Sequence, residues 1–195
     1  MQRIVSFDPT SRRVRFAHYF TVAYCIIGLV LAVNLRDSVL YATTEFRNNE
    51  VGIVAYYPKD WLLDTRSAVL RATDSARLGF KTVIEVNVEP FAPRMSARNV
   101  IDGLTLERQA ALPYYRNLTT FEQTLRTQDV AVVSEYSYVY APNDPFLQAI
   151  TAVVIGRDVL VIRRNQAILI TFQADARTYE QDLALFDRFL DALEY

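Results

Sequence analysis

Residues 146–172 read FLQAITAVVIGRDVLVIRRNQAILITF, and this run decides the fold. A long strand is expected from Phe146 to about Ile155, continuing through Gly156 to Ile162. Asn165-Gln166 turns the chain, and Ala167 to Phe172 returns as the last strand of a hairpin. The Val and Ile content suits strands, and a turn this short joins only antiparallel partners.

Working upstream, Asn143-Asp144-Pro145 breaks the chain, and Val130–Tyr140 and Asn117–Thr127 read as strands joined by Thr127-Gln128-Asp129. Ser96 is placed to cap a helix running to about Leu112, with Val100, Ile101, Leu104 and Ala111 on its apolar side and Pro113 after its end. Phe80 to Val88 alternates as a strand, Pro90 to Arg94 is a loop, and Ser67 to Arg77 is read as a short helix. Val51 to Pro58 is a strand closed by proline. Downstream, Tyr179, Leu183, Phe186, Leu190 and Leu193 keep the spacing of an amphipathic helix. Hairpin-linked strands with one helix midway and one at the end predict an α+β domain, an antiparallel sheet flanked by helices.

In front of this domain, Phe16 to Leu35 is free of Asp, Glu, Lys and Arg. At 1.5 Å per residue its twenty residues match a hydrocarbon core of about 30 Å, so one transmembrane helix is predicted. The preceding tail holds Arg3, Arg12, Arg13 and Arg15 against only Asp8, which places the N-terminus in the cytoplasm and the bulk of the chain on the other side of a bacterial-type inner membrane. The expected division is a basic tail (1–15), the span (16–35), a stalk that prolongs the helix (36–49) and a periplasmic domain (50–195). A cleaved signal peptide fits less well, because the apolar run is longer than a usual h-region. Cys25 follows the bulky Tyr24, unlike a lipidation site, and is read as a packing residue.

Ala17, Thr21, Cys25, Gly28 and Ala32 are spaced 4, 4, 3 and 4, which puts them on one stripe of the helix. Small residues on one face let another helix approach closely, so this stripe is a candidate packing face for a membrane partner. His18 is the single histidine of the chain and sits near the cytoplasmic end of the span. Two readings of it stand: a contact to a partner, haem or pigment, or a member of an interfacial belt with Phe16, Tyr19 and Phe20, which is the reading favoured.

Composition excludes much. One cysteine rules out a disulfide within the chain, and 21 basic against 22 acidic residues leaves no footprint for nucleic acid. The single His and single Cys both lie in the span, so Ser-His-Asp and Cys-His arrangements and conventional zinc sites are excluded from the outer domain. A glycine-rich phosphate loop is missing. Asp144, Asp158 and Asp175 are placed near turns but lack calcium-loop spacing, and no cofactor is expected. Tyr136, Tyr138 and Tyr140 alternate and therefore share one face of a strand. They are candidate partner contacts, or core beneath the terminal helix. Tyr114 and Tyr115 add aromatic surface.

Tyr57-Pro58-Lys59-Asp60-Trp61 resembles the Y-P-x-x-W signature that opens PsbP-like domains. The ending is similar to theirs as well: a long strand, a tight turn, a strand closing in ITFQAD, then Tyr179, Phe186 and Leu190 on a helix. The resemblance covers roughly residues 50–195. It implies an α/β/α sandwich around a sheet of about six strands. It also implies a mostly non-enzymatic family of extrinsic photosystem subunits, assembly factors, small-protein binders and envelope lipid binders. Two departures stand out: residues 37–195 contain no His to match the metal-linked histidines of photosystem members, and a transmembrane anchor is not usual for those extrinsic subunits.

The expected function is therefore a non-catalytic accessory subunit of a membrane protein complex, touching other subunits through helix and outer domain, with photosynthetic or respiratory electron transfer as the setting the family implies. The alternative is a membrane-anchored envelope module holding a lipid or other apolar ligand, which requires an enclosed apolar cavity.

Overall fold

A computed structural model describes residues 9–91, 95–141 and 151–195, with the backbone alone for 9–15 and 40. The chain divides into two compact units, Met1–Ala42 and Thr43–Tyr195. The first is one helix, α1 (Pro9–Leu40), whose residues Phe16–Val39 are long and apolar enough to cross a membrane. Its apolar side chains are exposed all round.

The second unit has three layers. At its centre is a seven-stranded antiparallel sheet of β3 (Leu62–Asp64), β4 (Leu70–Thr73), β5 (Val83–Pro90), β6 (Arg116–Thr124), β7 (Val130–Tyr140), β8 (Ala152–Arg163) and β9 (Gln166–Asp175), in the order β3-β4-β5-β9-β8-β7-β6. The predicted β8–β9 hairpin is present with its turn one residue earlier, at Arg164-Asn165 and not Asn165-Gln166, and Arg163 lies opposite Gln166. Arg164 and Asn165 both take positive φ (50° and 61°), the two-residue turn whose twist suits a hairpin. On one face lie α3 (Tyr179–Ala192) and a two-stranded ribbon of β1 (Thr43–Asn48) and β2 (Ile53–Pro58). This side holds the main core, including Ile53, Leu70, Ile84, Val133, Ile170, Phe172 and Phe186. Trp61 packs against it, as its place in the motif implied. Val54 exchanges two backbone hydrogen bonds with Glu194, tying the ribbon to the end of α3.

On the opposite face lies α2 (Ala97–Ala111), capped by Ser96, whose Oγ accepts from the Asn99 N–H at 3.2 Å. Ile101 is buried against Val132 and Leu160, flanked by Val100 and Leu104. Fold class and the placement of α2 and α3 are as the sequence predicted.

Several details differ. Residues 70–73 are strand, not part of a helix over 67–77: Leu70 and Ala72 alternate into the core and pair with Val86 and Ile84. The helix does continue beyond Arg36, but it ends at Leu40, and 43–48 pairs as β1 instead of forming a stalk, with Phe46 packed inward. The sheet has seven strands, not six, because β3 and β4 extend it. Ala111 is exposed, and the buried side of α2 ends at Arg108. Asp158 lies in the middle of β8 and not near a turn. The expected break at 143–145, Asp144 and the start of the strand at 146–150 lie outside the described residues.

Candidate functional site

The α2 face of the sheet carries the tyrosine series. Alternation along β7 turns Val132, Ser134, Tyr136, Tyr138 and Tyr140 to this side, so the three tyrosines lie away from α3 and not beneath it. α2 covers the half occupied by Val132 and Leu160. Beyond it, Tyr136, Tyr138, Phe80, Ala152 and Val154 form a separate cluster, with Leu112, Tyr115 and Tyr140 packed on it. Tyr136 stacks on Tyr115 (5.4 Å between centroids) and Tyr138 (6.4 Å), and Phe80 meets Tyr140 edge-on at 5.1 Å. Tyr140 is half-buried, whereas Tyr136 is fully enclosed.

Tyr136 lies directly across from Gly156 in the β7–β8 ladder, and its ring covers that glycine. An alanine Cβ at 156 would stand 2.5 Å from Tyr136 Cε2 and Oη and closer still to Cζ, so the ring position requires glycine there. Such cross-strand covering of a glycine by an aromatic is a recurrent sheet device.

Against the aromatics lies an ion pair that the sequence reading missed. Arg108 reaches from α2 to the buried Asp158, donating from Nη1 to Oδ2 and from Nη2 to Oδ1 (3.0 Å). Thr171 donates to the same carboxylate at 2.8 Å. The guanidinium also lies 4.3 Å from the Tyr136 ring centroid, a cation–π contact. The Gln173 amide closes the network by donating to Tyr136 Oη (2.9 Å) and accepting from Tyr138 Oη (3.3 Å). The one available signal was spacing: Arg108 follows Ile101 by seven and Leu104 by four, so it shares their inward stripe.

The electrostatics follow from this enclosure. Burial disfavours the Arg108 cation, yet the charge and hydrogen bonds of Asp158 raise its pKa above the ordinary value, so it stays protonated. Burial pushes the Tyr136 phenol well above 10 and that of Tyr138 up to about 12. Neither is poised to act as a base near neutrality. On the other side, Asp182 of α3 is buried and accepts from Arg77 (2.5 Å), Thr82 (2.9 Å) and Thr178 (3.1 Å), pinning the β4–β5 loop to the helix. Asp175 accepts from Arg177, whose hydrogen bonds hold its carboxyl below the usual range.

Along α1, Ala17, Thr21, Cys25, Gly28, Ala32 and His18 are all exposed, and the unbroken helix keeps the five small residues on one stripe. Thr21 Oγ1 donates to the Ala17 carbonyl at 2.9 Å, which satisfies its hydroxyl within the helix. The helix of the first unit and the tyrosine face of the second are thus two separate candidate surfaces. Tyr114, adjacent to the second, is exposed and takes a φ of 57° at the turn after α2. Three surface clefts of the second unit measure about 310, 430 and 570 Å³, all open to solvent. Among the described residues, no group of three His, Cys, Asp or Glu side chains converges to hold a metal ion.

No protein-family model matches the sequence, and no curated protein matches it. Solved structures do. The cyanobacterial PsbP protein of Synechocystis is 11% identical, with a TM-score of 0.56 over 79% of this chain and 92% of that one. LpqN of Mycobacterium tuberculosis, involved in cell envelope biogenesis, is 12% identical, with a TM-score of 0.52 over 78% and 89%. The Ran-binding protein Mog1p of Saccharomyces cerevisiae is 12% identical, with a TM-score of 0.50 over 78% and 95%. Such different proteins on one architecture leave function to be argued from the site. At this identity the likeness shows the fold: an antiparallel sheet flanked by helices, arranged as in PsbP-like domains.

Proposed function

We propose that the chain is a non-catalytic accessory subunit of a membrane protein complex, anchored by α1 with its N-terminus in the cytoplasm and its outer unit on the periplasmic side. The observation that carries this reading is the closed network on the α2 face. Asp158 is held by Arg108 and Thr171, and the two enclosed phenols by Gln173. Asp182 is similarly held by Arg77, Thr82 and Thr178. Groups tied in this way rigidify a surface; they are not free to transfer protons or attack a substrate. The helix supplies the other half of the reading. An apolar rod with one small-residue stripe offers a neighbouring helix close approach through Ala17, Thr21, Cys25, Gly28 and Ala32. Tyr136 and Tyr138 then brace the outer surface from within, while Tyr140 and Tyr114 are the aromatics exposed enough to meet a partner. The setting in electron transfer is what the family resemblance implies, and His18 would be the contact to any pigment or haem there.

Gentle solubilisation of native membranes and capture through a C-terminal tag tests this directly. Stoichiometric recovery of other membrane subunits is the expected result, and haem or chlorophyll absorbance would specify the setting. Recovery of the chain alone, or with lipid only, would refute the accessory reading.

A further inference from the structure

We propose that one end of the outer unit, made by the β2–β3 turn and the β4–β5 loop, rests on the bilayer surface and inserts Leu62, Leu63 and Leu78 among the lipid headgroups. This rests on the anchored reading of α1 and adds a second, independent contact with lipid. Chain connectivity supplies the first argument. Helical hydrogen bonding runs to the very end of the first unit, Tyr41 N–H donating to Asp37 O (3.0 Å) and Ala42 N–H to Val39 O (3.4 Å). The β1–β2 ladder starts at the next residue, Thr43, directly opposite Pro58. Thr43 follows Ala42 directly in the chain. The charge-free run ends at Leu35 and the candidate span at Val39, so Thr43 follows within about 6–12 Å of helical rise, close to the headgroup layer of one leaflet. Because β2 runs antiparallel to β1, its final residue is back beside this point, about 5 Å across the ladder.

The chain next turns, Trp61 N–H donating to Pro58 O at 3.1 Å, and enters β3 at Leu62, which pairs with Thr73. The β4–β5 loop leaves from Thr73 and is closed by a bond from Asp74 N–H to Thr82 O (2.9 Å), leaving Leu78 at its tip. Both connections therefore belong to the same end of the sheet. Leu62 is 61% exposed, Leu63 39% and Leu78 92%, an apolar edge that no side chain among the described residues covers. Charge supplies the second argument. The chain has two lysines among its 21 basic residues, and both are here: Lys59 in the β2–β3 turn and Lys81 in the β4–β5 loop, each exposed. Of the two acids in these connections, Asp60 and Asp74, the second is held by Arg77. Exposed leucines beside flexible ammonium groups match the acyl–headgroup boundary of an anionic leaflet.

The single tryptophan makes the test direct, because Trp61 lies within the turn. The full chain is reconstituted into phosphatidylcholine–phosphatidylglycerol vesicles whose acyl chains are brominated near the headgroup, and emission is compared with unbrominated vesicles. Three single-tryptophan variants on a Trp61→Phe background, Leu29→Trp, Leu78→Trp and Val130→Trp, report the anchor, the proposed edge and the opposite end of the sheet. The unmodified protein reads Trp61 itself, should a variant misfold. The expected result is about twofold quenching of Trp61 and Leu78→Trp, a depth of 5–10 Å, with Val130→Trp unchanged. Lys59→Glu/Lys81→Glu should reduce that quenching. Quenching of Leu29→Trp with none of Trp61 or Leu78→Trp would overturn the proposal and leave the anchor standing. Loss of quenching at Leu29→Trp as well would overturn both.

Discussion

Gly156→Ala is the smallest change that tests the organisation of the tyrosine face. The added methyl would sit 2.5 Å from Tyr136 Cε2 and Oη, against a ring that is 0% exposed. The ring has no room to yield without consequence, being stacked between Tyr115 and Tyr138, beneath Arg108, with its hydroxyl accepting from Gln173. Overpacking of this kind costs about 1–3 kcal/mol. Loss of the Gln173 hydrogen bond adds about 1 kcal/mol, so the expected destabilisation is about 2–4 kcal/mol. Urea denaturation of the full chain in micelles, followed by the emission of Trp61 on the main core, measures it. The double-mutant cycle is decisive. Tyr136→Leu removes the ring atoms that clash, so Gly156→Ala should cost at least 1 kcal/mol less on that background. If the two effects simply add, Gly156 is not shaped by Tyr136, and the packing argument fails.

Arg108→Met leaves the buried Asp158 without its cation and should cost about 3–5 kcal/mol, whereas Arg108→Met with Asp158→Leu should recover a large part of the loss; denaturation midpoints of the two variants and the unmodified protein decide it. Alkaline stability follows from Tyr136 and Tyr138, whose folded pKa values are raised, Tyr138 to about 12. Their contribution is fully present below the unfolded value near 10 and is lost as pH rises towards 12, by about 1.4 kcal/mol per pH unit for each phenol. Absorbance at the phenolate band should therefore rise cooperatively with loss of circular dichroism; early, non-cooperative titration of all 12 tyrosines would contradict the enclosure. Gly28→Leu fills the small-residue stripe of α1 and should abolish co-purification of membrane partners while leaving the outer unit's denaturation curve unchanged.

How far the sequence disclosed the fold can be traced element by element. Long periodic segments were legible: β7, the β8–β9 hairpin, α2 with its Ser96 cap and α3 all stand where alternation or 3.6-residue spacing placed them. The failures are short segments whose structure is decided by partners far away in sequence. β4 has four residues, and only pairing with β5 makes a strand of a stretch that reads locally as a weak helix. β1 fails for a related reason: Thr43 to Asn48 follows a helix without a break, and its strand character depends on the ladder with β2 and the inward packing of Phe46.

The candidate site divides along the same line. That Tyr136, Tyr138 and Tyr140 share a face follows from the two-residue repeat of any strand. Which face they share was not legible, because both sides of this sheet are covered and β7 buries apolar residues on each. The choice is made by α2, and specifically by the one residue on its apolar stripe that looks out of place. A charge at Arg108 reads as solvated surface until Asp158 is known to lie inside the sheet on the same side, and that aspartate reads as a turn residue until β8 is known to run through it. Each charge is explicable only through the other, across 50 residues of chain. A buried pair of this kind adds little net stability over apolar residues of the same shape. What it does supply is a unique register. Sliding α2 by one turn, or β8 by one residue, would strand both charges in the interior, so the tyrosine face is held in a single arrangement.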